Sequence, residues 1–170
     1  MLQADVAAIA FDPSTRGPVV LLKRADAPEP PPQLVPIALG PIEAYSIVSA
    51  LQGNEPPRPM THDLTCNIML TMGAHIQHAE IHSFIDGTYI ASLTFRQNGV
   101  TFVVDARPSD AIALVVRQRA PLYIDEKVFD LTAVDANVVT HVGIGPAMSS
   151  EQFDQALKNF TDNITPSDFA

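Results

Sequence analysis

The sequence predicts an α+β domain with a mostly antiparallel sheet, on three observations. The dipeptides Asp86-Gly87 and Asn98-Gly99 separate three strand-like runs. Two-residue hairpin loops need positive φ at both central positions, which Asp, Asn and Gly tolerate best. Pro41 and Pro108 each open an amphipathic run directly after such strands, as proline does in a first helical turn. Finally, Pro41 and Pro108, Glu43 and Asp110, and Ala44 and Ala111 share one offset, and Ile37 falls on Val104 in the same alignment. A duplicated three-strand-plus-helix unit, with a helix between the repeats, is therefore expected.

The elements follow in order. Val6 to Phe11, Pro18 to Arg24 and Leu34 to Leu39 read as strands. The helix from Pro41 carries Glu43 in its first turn, places Ala44, Ile47, Val48 and Leu51 at helical spacing, and stops at Gly53. Ala25 to Pro36 and Glu55 to Pro59 are proline-rich and read as surface loops. The middle helix has Thr61 as its expected N-cap, Asp63 in the first turn, an apolar stripe of Leu64, Ile68 and Met72, and Gly73 as its stop.

Ile76 to Phe84, Thr88 to Arg96 and Val100 to Asp105 form the second set of strands. In the helix that follows, Ser109 can cap, Asp110 meets the positive end of the dipole, and Pro121 ends it after Arg117 and Arg119. Leu122 to Ile124 is a short strand completing the sheet. Residues 1–130 thus make one domain, and 131–170 a C-terminal extension. In the extension Ser149-Ser150-Glu151-Gln152 offers a capping box for a helix bearing Phe153, Ala156, Leu157 and Phe160, ahead of a frayed tail.

Cys66 is the single cysteine, so no intramolecular disulfide is possible and a reducing compartment is expected. No apolar run approaches the roughly 20 residues that span a bilayer. Asp5 stands where a secretory leader would carry lysine or arginine, so the expected location is cytoplasmic. The net charge of −9 argues against a protein that coats nucleic acid, because backbone binding draws on lysine and arginine. A nuclease remains compatible if carboxylates hold metal ions that meet the phosphate. Neither a P-loop, a dinucleotide fingerprint, a nucleophile elbow nor a zinc-protease motif is present.

Two polar clusters carry candidate chemistry. Thr61-His62-Asp63 at a helix start could hold phosphate on free N–H groups while His62 moves a proton; capping of the helix explains the same residues. Asp105-Ala106-Arg107-Pro108-Ser109-Asp110 brings two carboxylates to a strand-to-helix corner, with Arg107 between them. They could bind a divalent cation while Arg107 clamps phosphate, or they could form a structural Arg–Asp network. Glu43 stands like Asp110 at the other helix start. His78, Glu80 and His82 alternate on one strand, but their steps of about 6.6 Å suit an exposed face better than one ion.

At these residues the chain resembles the bifunctional nuclease domain family. The resemblance runs from about Pro36 to Val128 and rests on Pro36-Ile37, Gly40, Glu43-Ala44, Arg58-Pro59-Met60-Thr61-His62-Asp63-Leu64, Asp86-Gly87-Thr88 with Ala91, and Asp105-Ala106-Arg107-Pro108-Ser109-Asp110-Ala111-Ile112-Ala113-Leu114. It implies action on both RNA and DNA; together with the acids and arginines that converge at the helix starts, metal-assisted hydrolysis of phosphodiester bonds is expected, with a divalent metal such as Mg or Mn. The expected roles are His62, Asp63, Asp105 and Asp110 in catalysis; Arg58, Arg107, Thr61 and Ser109 on phosphate; and Asp105, Asp110 and Glu43 on metal. The alternative is a non-catalytic oligomeric scaffold or regulatory binding module, whose motif charges are structural ion pairs. A homodimer or higher homo-oligomer suits either, since open strand edges need cover.

Overall fold

The computed structural model describes residues 1–12, 17–54 and 56–137. Its elements are β1 (Leu2–Asp12), β2 (Gly17–Arg24), β3 (Gln33–Ala38), α1 (Pro41–Leu51), α2 (Thr61–Thr71), β4 (Ala74–Ile85), β5 (Thr88–Gln97), β6 (Val100–Ala106), α3 (Pro108–Gln118), β7 (Leu122–Ile124), α4 (Glu126–Thr132) and β8 (Val134–Asp135). The eight strands form one sheet in the order β6-β5-β4-β7-β1-β2-β3-β8. All neighbours are antiparallel except β4 and β7. The architecture is the expected α+β one. Three strands followed by a helix occur twice in the element order, with α2 between them.

β7 does more than complete the sheet, because it joins the two halves at its centre. Leu122 and Ile124 pair with Ala79 and Ile81 on one side and with Ala4 and Leu2 on the other. The main core lies between the sheet and the helices, where Leu22, Ile47, Ile81, Ile112 and Ile124 have almost no solvent contact. The α1 and α3 helices pack against each other, and α2 packs on α3 and β4. A smaller apolar cluster, Ala10, Val19, Leu21 and Leu34, is joined by Val134 and Ala136.

Both hairpin turns have the backbone that their dipeptides dictate: φ is 50° at Asp86 and 79° at Gly87, and 49° at Asn98 and 82° at Gly99. A Cβ at Gly87 would have open space around it, so alanine there meets only the positive-φ penalty. We expect Gly87→Ala to lower stability by about 1 kcal/mol, read as a melting shift of about 3 °C.

Several elements differ from expectation. Thr61 is the first helical residue of α2, not its cap; the cap is Met60, whose N–H is taken by Asp63 Oδ2 at 2.9 Å. The carboxylate at the third helical position reaches back to the N-cap N–H, one half of the reciprocal pair that a hydroxyl cap would complete. Likewise Arg107, not Ser109, caps α3, since Pro108 must take the first helical position. β3 starts within the proline-rich segment and includes Pro36. There the strand has only β2 beside it, because β8 reaches only Gln33 and Leu34, so a missing N–H costs no ladder bond.

α4, capped by Asp125 through the Lys127 N–H, and the two-residue β8 were not anticipated. The helix expected from Ser149 to Phe160 and the frayed tail of 161–170 lie outside the described residues. His78, Glu80 and His82 do not share a regular ladder, since β-bulges leave Gln77 and His82 unpaired with β5. His78 packs edge-on against Tyr123, and His82 bonds Ser83.

Candidate functional site

The site is built where β6 turns into α3. Proline disfavours a helical conformation in the residue before it, so Arg107 is held extended, with φ −66° and ψ 144°. Its guanidinium folds onto the first turn of α3, donating from Nε to Asp110 Oδ2 at 2.7 Å and from Nη2 to Asp110 Oδ1 at 3.1 Å. Nη1 lies 3.2 Å from Glu43 Oε1 in the first turn of α1. One cation thus ties the starts of both helices together. The Glu43 carboxylate lies against Gly40, where a side chain would collide with it.

Behind Arg107 runs a second line of polar groups. His62 Nε2 lies 3.1 Å from Asp110 Oδ1, and His62 Nδ1 lies 2.8 Å from Ser46 Oγ. With a proton on Nε2 facing the carboxylate, Nδ1 accepts from the Ser46 hydroxyl. A serine, a histidine and an aspartate in line invite comparison with a nucleophilic triad. Ser46 is only 2% exposed, however, so its hydroxyl cannot reach a substrate and the chain of bonds is structural. On the far side Arg117, 10% exposed, donates from Nε to Asp63 Oδ1 at 2.6 Å and from Nη1 to the Ser46 and Ala113 carbonyls.

These contacts set the charges. Partial burial pushes the Asp110 carboxyl up, but hydrogen bonds from Arg107 and His62 outweigh it and hold the group below its ordinary value. Burial also pushes Asp63 up, and bonds from Arg117 and the Met60 N–H overcome that, leaving it lowered. The Arg107 guanidinium is raised, first by its hydrogen bonds to Asp110. Burial pushes the Cys66 thiol up, as expected of an unreactive core cysteine.

A groove of about 850 Å³ opens beside this network, between the β3–α1 corner and the ends of β5 and β6. Glu43, Asp105, Arg107 and Ser109 line it on the polar side, and Ile37, Phe84, Tyr89 and Ile90 on the apolar side. Arg107 keeps 66% of its side chain exposed there despite its three contacts. Asp105 is exposed and has no hydrogen-bond or ion-pair partner among the described residues.

The structure therefore sorts the expected site residues. Glu43, Asp105, Arg107 and Ser109 meet at the groove, and Asp110 lies just behind them, bound to Arg107. His62 and Asp63 are drawn into the network between helices and do not line the groove. Thr61 is exposed, and its carbonyl accepts from Thr65 Oγ1. Arg58 is exposed and makes no ion pair among the described residues. Ser46, Tyr89 and Arg117 were missed as contributors. Spacing gave one clue, since Ser46 lies one helical turn after Glu43 on the same face of α1.

A cation on Glu43, Asp105 and Asp110 is poorly accommodated. Both Asp110 oxygens and Glu43 Oε1 are engaged by Arg107, so the guanidinium fills the place among the carboxylates that an ion would need. Among the described residues no three His, Cys, Asp or Glu side chains are grouped to hold a metal.

The family model for the bifunctional nuclease domain matches residues 20–137, more than half of the chain. The chain belongs to the bifunctional nuclease domain family. Two uncharacterized proteins of Mycobacterium tuberculosis, from strains CDC 1551 and H37Rv, are each similar to it, with 31% identity over 169 residues. Those matches cover 99% of this chain and 98% of each relative. The bifunctional nuclease domain match takes in α4 and β8 as well as both motifs, so it extends past Val128, where the motifs alone had ended the resemblance. No helix among the described residues is long and apolar enough to cross a membrane.

Proposed function

We propose that the groove beside Arg107 hydrolyses phosphodiester bonds in RNA or DNA. The observation that carries this reading is the pairing, in one groove, of an exposed guanidinium pinned by two carboxylates with a carboxylate, Asp105, that has no partner among the described residues. Arg107 would meet a non-bridging phosphate oxygen with a guanidinium whose position is already fixed. Asp105 would take the proton of an attacking water as its oxygen bonds to phosphorus, and the departing ester oxygen would take a proton from solvent. Asp110 and His62 then serve as positioning residues for Arg107. The apolar wall with Tyr89 suits a base lying against it. No step is assigned to Mg or Mn, because Arg107 occupies Glu43 Oε1 and both Asp110 oxygens.

The family supports a nuclease-like reading, and a small oligonucleotide assay tests it. Purified chain is incubated with labelled single-stranded RNA and DNA, with and without EDTA. Asp105→Asn is expected to reduce the rate about 100-fold while leaving the melting temperature unchanged. Equal rates in wild type and variant would remove Asp105 from the chemistry. A rate abolished by EDTA would restore the metal and take water activation away from Asp105.

One observation favours the scaffold reading instead: the Arg107 and Arg117 contacts together bind α1, α2 and α3 to one another. On that reading no cleavage occurs at any metal concentration, and Asp110→Asn lowers stability only. The strand β6, which has no second strand beside it among the described residues, supports a homo-oligomer under either reading.

A further inference from the structure

The middle helix does not bury the stripe its sequence presents. Leu64, Ile68 and Met72, spaced at i, i+4 and i+8, are 52%, 50% and 60% exposed. The helix instead turns Cys66 and Met69 to the core. At the same end of the sheet, β6 is an edge strand with only β5 beside it among the described residues. It is seven residues long, and Val100, Phe102, Val103 and Val104 are all substantially exposed, Val103 at 66%. The two surfaces meet. Gln97, which stands opposite Val100 in the ladder, donates its side-chain amide to the Met72 carbonyl at 2.7 Å. Soluble monomers rarely leave more than a few hundred Å² of contiguous apolar surface open, and a long apolar edge with free N–H and C=O groups is the surface proteins most often protect.

We propose that this surface binds a second copy of the same chain, with β6 pairing antiparallel to β6 of the partner about a two-fold axis at Val103. The sequence of β6 complements itself in that register. Phe102 falls opposite Val104 of the partner subunit, Val100 opposite Ala106 of the partner subunit, and Val103 opposite its own copy. Asp105, the strand's one charge, falls opposite Thr101 of the partner subunit, a hydroxyl donor, and not opposite another acid. A chain with net charge −9 repels its own copy over most of its surface, and Val100 to Val104 and the α2 stripe are uncharged. A nucleic acid finds one cation beside this edge, Arg96 opposite Thr101 in the ladder, too few for a phosphate backbone, whereas an identical uncharged edge offers matching N–H and C=O groups. The pairing extends the sheet across two chains and packs the α2 stripes at its flank. It also brings partner residues to Asp105, at the mouth of the groove. β8, at the other edge, is only two residues long and offers no comparable template.

The test uses the full chain and needs no nuclease activity. Light scattering after size exclusion is expected to give a mass near twice 18.3 kDa, and Val103→Lys about half of that, with an unchanged circular dichroism spectrum. Directly opposed residues in an antiparallel pair have Cα atoms about 4.5–5.5 Å apart, within reach of a disulfide. Val103→Cys is therefore expected to cross-link under mild oxidation. Thr101→Cys, whose copies would lie about 13 Å apart, is expected not to. A dimer that survives Val103→Lys and fails to cross-link through Cys at 103 would overturn this surface while leaving homo-oligomerisation intact. A monomeric wild type with slow amide exchange along β6 would overturn both, and assign the cover to the chain beyond residue 137.

Discussion

Ile124→Ala is expected to remove about 3 kcal/mol of stability, measured by urea unfolding, and to lower the melting temperature by about 10 °C. Ile124 has no exposed surface, and it sits in the three-residue strand that both halves of the sheet share. Its side chain belongs to the main core, so truncation leaves a cavity against Ile81 and Leu2, its neighbours in the two ladders, which cannot close without shifting one ladder. A long core residue at an end of the sheet would let its surroundings relax; one held from both sides does not. A loss below about 1 kcal/mol would show that the two halves are stable without β7 between them.

Arg117→Ala is expected to cost about 2–3 kcal/mol, toward the low end for a broken buried ion pair because Asp63 keeps some water contact. The substitution strips Asp63 of its partner and leaves two helix carbonyls without their donor. It also has a pH consequence. Asp63 and Asp110 have folded pKa values lowered from an ordinary 3.8, so the unfolded chain takes up protons first as acid is added. Their contribution is complete above about pH 5 and drains away as pH falls through the ordinary value toward the lower folded ones. Without Arg117 the Asp63 value returns toward the ordinary one, and the acid slope of stability becomes shallower. An identical slope in both proteins between about pH 5 and 3 would show that Arg117 is not what lowers Asp63.

The parts of this fold legible in the sequence are those fixed by local chemistry. Asp86-Gly87 and Asn98-Gly99 place two turns because few residues accept their φ values, and Pro41 and Pro108 place two helix starts because proline suits little else. What local chemistry does not carry is which partner an element chooses. The three residues of β7 read correctly as a strand, yet nothing within them says that they lie between β1 and β4. α4 carried a legible Asp125 cap, but seven residues are too few to show a periodicity. The stripe on α2 was visible and its direction was not, since spacing reveals a face without revealing what lies against it.

The site was half legible for the same reason. Asp105, Arg107 and Asp110 are close in sequence, and one strand-to-helix corner gathers them. Ser46, His62 and Arg117 come from three helices, and only packing brings them into one network. Arg117 looked like a favourable charge at a helix end. Its guanidinium in fact crosses to α2, an arrangement that depends on the distance between two helices and has no signal along the chain.

The position of β7 bears on how the protein is made. A ribosome delivers β1, β2 and β3 first, yet β1 finds its second neighbour only when residues 122–124 emerge, more than a hundred residues later. Until then the edge of the first half-sheet stays open to any extended segment nearby, including another nascent copy. The parallel join between β4 and β7 must also wait for α3 to form and return, a slow class of closure. Chains stalled or truncated just before Leu122 should therefore be the aggregation-prone ones, and release of three more residues the step that makes the two halves one protein.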